Sequence, residues 1–366
     1  MRLPGEQRLA ARFEIPYRAC LDADGRPLGP LPEFARDAEL LQRMYAAMVR
    51  TRAFDTKAIH LQRTGKLGTY PSCLGHEAAQ VGIGAAMHAD DVLFTVYREV
   101  GIKLWRGVQL LDMLLYWGGD ERGTRYQNTP QDFPFCICIG SQMPHAAGVA
   151  LAMQIRGESR CAVACIGDGG TSQGAFYESI NLAGAKSLPL VCVVINNGWA
   201  ISVPVATQTA AGTLAQKGIA AGVPAVQIDG NDALIVREVV GEAVARARRG
   251  GGPTLIEALT YRLGDHTTSD DASRYRDQQQ VEAARALEPI RRLRSFLQTQ
   301  KLWGDAQEQA LKRSCHDEIE AAVGQYLATP KQSTDAMFDH LYAELPPLLR
   351  AQRAQARRYA TTDHGI

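Results

Sequence analysis

The sequence predicts an α/β protein built on a mainly parallel sheet with helices on both faces. Two observations carry this. Uncharged apolar runs at residues 161–166 (CAVACI) and 190–195 (LVCVVI) have the length and branched content of buried strands, and they enclose a segment of helical periodicity at 172–186. The pattern then repeats, with strand candidates at 226–228 and 255–259 around a long helix at 232–249. That helix opens at a capping Asn231 or Asp232 and closes in Arg248, Arg249 and three glycines.

The remaining segments follow in order. Residues 1–38, rich in Pro, Gly and charge, read as an N-terminal helical arm. A helical pattern starts at Glu39 and sets Leu41, Met44, Met48, Phe54 and Ile59 near helical spacing, until the stretch at 65–72 (GKLGTYPS) breaks it. HEAAQVGIGAAM reads as a small-residue helix able to pack closely, and 98–117 as another helix, followed by an exposed loop at 118–134. After a polar loop at 264–276, helical segments run to the end, giving one large domain at 39–330 and a helical tail at 331–366.

The 366 residues carry 40 Lys and Arg against 39 Asp and Glu, a net charge of +1. Such a balance offers no electrostatic footprint for nucleic acid or an anionic membrane. Two stretches, 133–155 and 187–216, lack charge but contain Gln, Ser, Pro, Asn or Gly, so neither reads as a membrane span. None of the eight cysteines forms a C-x-x-C pair and most sit in apolar runs, which points to buried thiols in a reducing cytoplasm. The N-terminus has no apolar secretory segment.

The chemistry concentrates between Cys165 and Pro204. Gly167-Asp168-Gly169-Gly170-Thr171-Ser172 lies between a strand and a helix, where glycines let backbone approach a phosphate. Asp168 would repel a bare phosphate, and a bridging Mg²⁺ resolves the conflict, because it takes oxygen ligands from carboxylates and phosphates together. The second strand ends in Asn196-Asn197-Gly198-Trp199, and strand ends of a parallel sheet face one crevice. Taken alone, GDG is also ordinary turn chemistry. The pairing is more specific: residues 170–195 separate GDG from NN by 26 positions. No G-K-[ST] follows the glycines and no G-x-G-x-x-G sits at the turn, so a P-loop or nicotinamide-binding loop is excluded.

At that spacing the motif resembles the fingerprint of thiamine-diphosphate enzymes. Residues from about 40 to 345 resemble the α-subunit of the decarboxylating component of 2-oxo acid dehydrogenase complexes, through GKLGTYPSCLGHEAAQVGIGAAM, VYREVGIKLWRG, the GDG…NNGWAISVP block and YRLGDHTTSDDASRYR. The resemblance implies a thiamine-diphosphate-binding fold. It implies that Asp168, Asn197 and the Trp199 carbonyl hold Mg²⁺, that Gly169, Gly170, Tyr97 and Arg98 bind the diphosphate, and that Ile139 wedges between the cofactor rings. His266 matches the active-site histidine of the family's GHH-ST-SDD-type loop, whereas His76 and His145 are read as structural. Ser141 and Gln142 match positions that hold K⁺ in branched-chain relatives, although Cys136 and Ile137 stand where those relatives carry hydroxyls. Three further departures are Ile195 for a phosphate-binding Arg, Thr267 for a phosphorylated Ser, and Gln173 for a frequent Glu.

The implied activity is oxidative decarboxylation of pyruvate with transfer of the acyl group to a lipoyl group on a partner acyltransferase. Branched-chain 2-oxo acids are the alternative substrates, favoured by the TTSDD run. The resemblance also implies a β-subunit that completes the site, within an α2β2 assembly. A non-catalytic assembly subunit is the reading from a different class, and the retained Asp168, Asn197, Arg98 and His266 argue against it.

Overall fold

The computed structural model describes residues 9–360; the first eight residues of the N-terminal arm and the last six of the tail, 361–366, lie outside the described residues. The chain divides into two compact units, 1–320 and 321–366.

In the first unit, β1 (Tyr17–Arg18), β2 (Val92–Phe94), β3 (Ala162–Gly167), β4 (Leu190–Asn196), β7 (Ala225–Asp229) and β8 (Thr254–Leu259) form a six-stranded sheet in the order β1-β7-β8-β4-β3-β2. Every pairing in it is parallel. β5 (Trp199–Ala200) and β6 (Val203–Pro204) make a separate antiparallel ribbon. Alternate residues of a strand point to opposite faces, so one uninterrupted apolar run serves two cores. Val163, Cys165, Val191, Val193 and Ile256 face a core that includes α1 (Ala38–Arg63), α2 (Glu77–Ala86), α9 (Ala233–Arg248) and α11 (Pro289–Thr299). Ala162, Ala164, Ile166, Cys192 and Val194 face a second core with α5 (Gln142–Arg156) and α6 (Gly174–Lys186).

The small residues of α2 have the use their size suggests. A Cβ on Gly82 would stand 2.7 Å from Val236 of α9, and one on Gly84 would stand 3.0 Å from Trp105. The stretch expected as one helix at 98–117 is two, α3 (Val100–Arg106) and α4 (Leu110–Trp117), separated by Gly107 in a left-handed conformation at φ +99°. The N-terminal arm, expected to be helical, is mostly not: among its described residues before α1 the helical turn is a 3-10 turn at Glu33–Arg36, and Tyr17–Arg18 adds an edge strand beside β7. The reason lies in Asp232: its Oδ2 accepts from the backbone N–H groups of Cys20 and Leu21, both at 2.7 Å, while Oδ1 caps α9 at Leu234 N, 3.0 Å away.

Short helices α7 (Val205–Gln208), α8 (Lys217–Ala220) and α10 (Gln278–Arg285) complete the first unit, which ends within α12 (Asp305–Ala328). In the second unit, α14 (Pro347–Ala360) follows α13 (Ala336–Asp339), and Arg357 grips Asp335 through two 2.6 Å bonds. No helix among the described residues is long and apolar enough to cross a membrane.

Candidate active site

At the carboxyl ends of β3 and β4 lies an open cavity of about 210 Å³. Its lining includes Tyr97, Arg98, Ile139, Asp168, Gly169, Gly170, Asn197, Trp199 and His266, so the expected Mg²⁺, diphosphate, ring-wedge and histidine positions reach one space, while Ser141 and Gln142 are not among its lining residues.

β3 does not run straight into α6. One 3-10 turn, Gly169–Ser172, intervenes, so Gly169 and Gly170 rather than the first turn of α6 line the cavity. These positions require glycine because of the protein behind them. A Cβ on Gly169 would meet the Ala200 Cβ at 2.5 Å, and one on Gly170 would meet Ile166 at 2.5 Å and Ile139 at 3.0 Å. The buried Asp168 carboxylate accepts from Gln208 Nε2 at 3.0 Å and, more distantly, from the Asn197 backbone N–H at 3.4 Å. Burial raises its pKa, against the lowering effect of these bonds.

The two asparagines divide their tasks. Asn196 turns into the sheet and donates to Glu257 at 2.8 Å, while Asn197 lines the cavity and accepts from Trp199 N at 3.1 Å. Gly198 at φ +85° makes the turn between them and the β5–β6 ribbon. Asp168, the Asn197 amide oxygen and a peptide carbonyl are the hard oxygen donors that suit Mg²⁺.

Arg98 follows β2 and is nearly fully buried. Its guanidinium donates to the Ser72 carbonyl and, at 3.0 Å, to the His266 carbonyl. It also lies 3.1 Å from His266 Nδ1, and Arg262 approaches the same nitrogen at 3.4 Å. Guanidinium nitrogens only donate, so Nδ1 is the acceptor and the neutral ring carries its proton on Nε2. Burial and these two cations bring the His266 pKa down to about 4. The ring packs edge-on to Tyr97, with centroids 6.1 Å apart. Asp270 fixes the loop by accepting from His266 N at 2.8 Å and from the Tyr275 hydroxyl, which in turn accepts from Arg262 at 2.7 Å.

Neither Arg98 nor Arg262 forms an ion pair among the described residues, and both are buried. Two buried guanidiniums without a direct ion-pair partner beside a cavity fit an anionic ligand, since burying a charge without a partner is costly. The loop carrying Ile139 is laid alongside by a parallel bridge between Val96 and Cys136. Within it the Cys136 thiol and Ser141 hydroxyl both turn to the Cys138 carbonyl, at 3.1 and 2.8 Å. Gln142 is occupied by Gly140 N at 3.0 Å and the Cys165 carbonyl at 2.9 Å.

Several residues were not singled out from the sequence. Arg262 and Gln208 act through partners distant in the chain. Glu99 lines the cavity with one unpartnered carboxyl oxygen and a pKa pushed up to about 7 by burial. His76, read from the sequence as structural, also lines it, whereas His145 lies exposed on α5, stacked near Phe133.

Parallel α/β sheets bind ligands outside the carboxyl ends of their strands, and the buried Arg98 and Arg262 suit the cavity there to an anionic ligand. Comparison with known proteins sharpens the class. The family model of the dehydrogenase E1 component matches residues 45–335, and the chain belongs to that family, whose members are thiamine-diphosphate-dependent enzymes of multienzyme complexes. The chain is 45% identical to the 3-methyl-2-oxobutanoate dehydrogenase subunit alpha of Mycobacterium tuberculosis (strain ATCC 25618 / H37Rv), over 89% of each chain. It is 40% identical to the pyruvate dehydrogenase E1 component subunit alpha of Acholeplasma laidlawii, over 92% of this chain and 99% of the other. A pyruvate dehydrogenase E1 component subunit alpha from Staphylococcus epidermidis is 39% identical, over 91% and 90%.

Proposed function

We propose that this chain is the α-subunit of a 2-oxo acid dehydrogenase component, catalysing oxidative decarboxylation of pyruvate and passing the acyl group to a lipoyl-bearing acyltransferase. The observation that supports it best is the convergence of Asp168, Asn197, Arg98 and His266 on one cavity, with a second buried guanidinium, that of Arg262, behind His266. Thiamine diphosphate supplies the electron sink for loss of carbon dioxide. The chain's residues bind and orient. Asp168, Asn197 and the Trp199 carbonyl would hold Mg²⁺. Arg98, Tyr97 and the Gly169–Gly170 backbone would receive the diphosphate, and Ile139 would support the bent cofactor. His266 offers a neutral Nε2–H donor toward the diphosphate or the reacting acyl group.

A potassium ion at Ser141 and Gln142 stays within the proposal, since their side-chain oxygens make hydrogen bonds in the protein but keep a lone pair for a cation. A β-subunit and an α2β2 assembly belong to the proposal, as does a cytoplasmic location, which the eight unpaired cysteines support. A second reading, branched-chain 2-oxo acids as substrates, draws on the TTSDD loop and the 45% identical relative so named. The test is steady-state turnover of pyruvate and of 3-methyl-2-oxobutanoate by the reconstituted α–β pair, with the isolated chain as control. Turnover of one of them by the pair alone is expected; substantial decarboxylation by the isolated chain would refute the shared site.

A further inference from the structure

His76 occupies the position just before α2, where a side chain ordinarily caps free backbone N–H groups, yet its imidazole makes no capping bond. The local donors are otherwise engaged: Gly75 N donates to Glu77 Oε2 at 3.0 Å, and Glu77 pairs with Arg52. The ring is 1% exposed and lines the cavity, and neither Nδ1 nor Nε2 has a partner. Buried side-chain polar groups are overwhelmingly paired, and a histidine kept for packing alone should show that pairing. Burial, with Arg98 and Arg262 nearby, drives the pKa well below the ordinary histidine value, so the ring is neutral and presents one donor nitrogen. An acceptor is therefore missing from the protein at a point where two guanidiniums already favour negative charge.

We propose that His76 is a ligand-binding residue that donates a hydrogen bond to an anionic oxygen held in the cavity. That oxygen belongs to the cofactor's diphosphate or to the carboxylate of the 2-oxo acid, and the inference rests on the function proposed above. Glutamine can supply a donor at similar reach, whereas leucine fills comparable space without one. The test compares His76→Gln and His76→Leu in the purified α–β pair. Thiamine diphosphate affinity is read from cofactor-dependent thermal stabilisation at saturating Mg²⁺, and KM is read for pyruvate and for 3-methyl-2-oxobutanoate.

Loss of a bond to a charged acceptor should weaken one of these constants about 10- to 100-fold in His76→Leu, with His76→Gln close to wild type. A change in cofactor affinity assigns the oxygen to the diphosphate; a change in KM alone assigns it to the substrate. If both constants in His76→Leu stay within twofold of wild type, or if the two variants lose affinity equally, the proposal is overturned. Should His76→Leu not fold, the decision passes to the His76 ring nitrogens in wild-type protein labelled with ¹⁵N-histidine. They must shift on adding cofactor or substrate, and unchanged resonances overturn the proposal. Absence of any cofactor-dependent stabilisation in wild type would instead sink the functional reading.

Discussion

Asp168→Asn separates the cation site from the fold, because its effects on cofactor-free and cofactor-bound protein differ. The Asp168 carboxylate is 2% exposed and accepts one good bond, from Gln208 at 3.0 Å, and one long contact, from Asn197 N at 3.4 Å. No Lys or Arg side chain among the described residues pairs with it, and its raised pKa shows that burial outweighs its bonds. The isosteric amide removes the charge, keeps an acceptor for Gln208 and gives up at most the 3.4 Å contact. A neutral bond contributes about 0.5–1.5 kcal/mol net and a stretched one less. Stability without cofactor should therefore stay within about 1 kcal/mol of wild type, or rise as the buried charge is removed. Ligand at a hundredfold excess over Kd stabilises a protein by about 2.7 kcal/mol. At about 2–4 °C per kcal/mol for a domain of this order of size, the wild-type Tm should rise roughly 5–10 °C. In Asp168→Asn that rise should vanish. Scanning fluorimetry of the α–β pair, with and without thiamine diphosphate and Mg²⁺, measures both quantities. A cofactor-free loss of more than about 3 kcal/mol would mean that the carboxylate is a structural acceptor of a severity the mutational norm reserves for broken networks. An undiminished cofactor-dependent rise would place the cation elsewhere.

Two further outcomes follow from the same geometry. His266 titrates near 6.5 when unfolded but at about 4 when folded, so the folded chain binds fewer protons between those values. Its contribution to stability is complete above pH 6.5 and is lost as pH falls toward 4, so His266→Gln should flatten the acid limb of a urea-denaturation series, and an unchanged slope would contradict the depressed pKa. The buried Asp55 accepts from the Tyr70 hydroxyl at 3.0 Å, Ser72 Oγ at 2.7 Å and Cys73 N at 2.7 Å, in the segment whose Ser72 carbonyl holds Arg98. With each stranded donor costing about 1–3 kcal/mol, Asp55→Ala should lose roughly 3 kcal/mol or more and weaken cofactor binding with it; a urea-midpoint shift worth less than about 1 kcal/mol would refute this network.

What could be read from the sequence was whatever is encoded locally. β3 and β4 announce themselves because both faces of each are buried, leaving unbroken apolar runs, and GDG…NN combines turn residues with a fixed separation. α5 was harder to see. Met143, Ala146, Ala147, Ala150 and Met153 do repeat at helical spacing, but its exposed side carries Pro144, His145, Gly148 and Ile155 rather than a charged face. β1 was invisible, since two residues after Pro16 carry no period and their partners, Gln227 and Ile228, lie in a distant part of the chain. Arg262 and Gln208 were missed, and His76 was read only as structural, for a related reason. A lone Arg, Gln or His acquires meaning from what surrounds it in space, and that only tertiary contacts supply.

The Asp232 carboxylate that caps α9 and also holds the backbone of Cys20 and Leu21 sets an order of events during synthesis. The arm's anchor is made 212 residues after Cys20. At about 5–20 residues per second, the segment of Cys20 and Leu21 waits roughly 10–40 s for that carboxylate to be made. Until then β7 has no neighbour on that side, and Tyr17–Arg18 has no sheet to join. Cys20 and Leu21 are thus fixed well after they are made, and a nascent chain halted before residue 232 cannot close the edge of its own sheet.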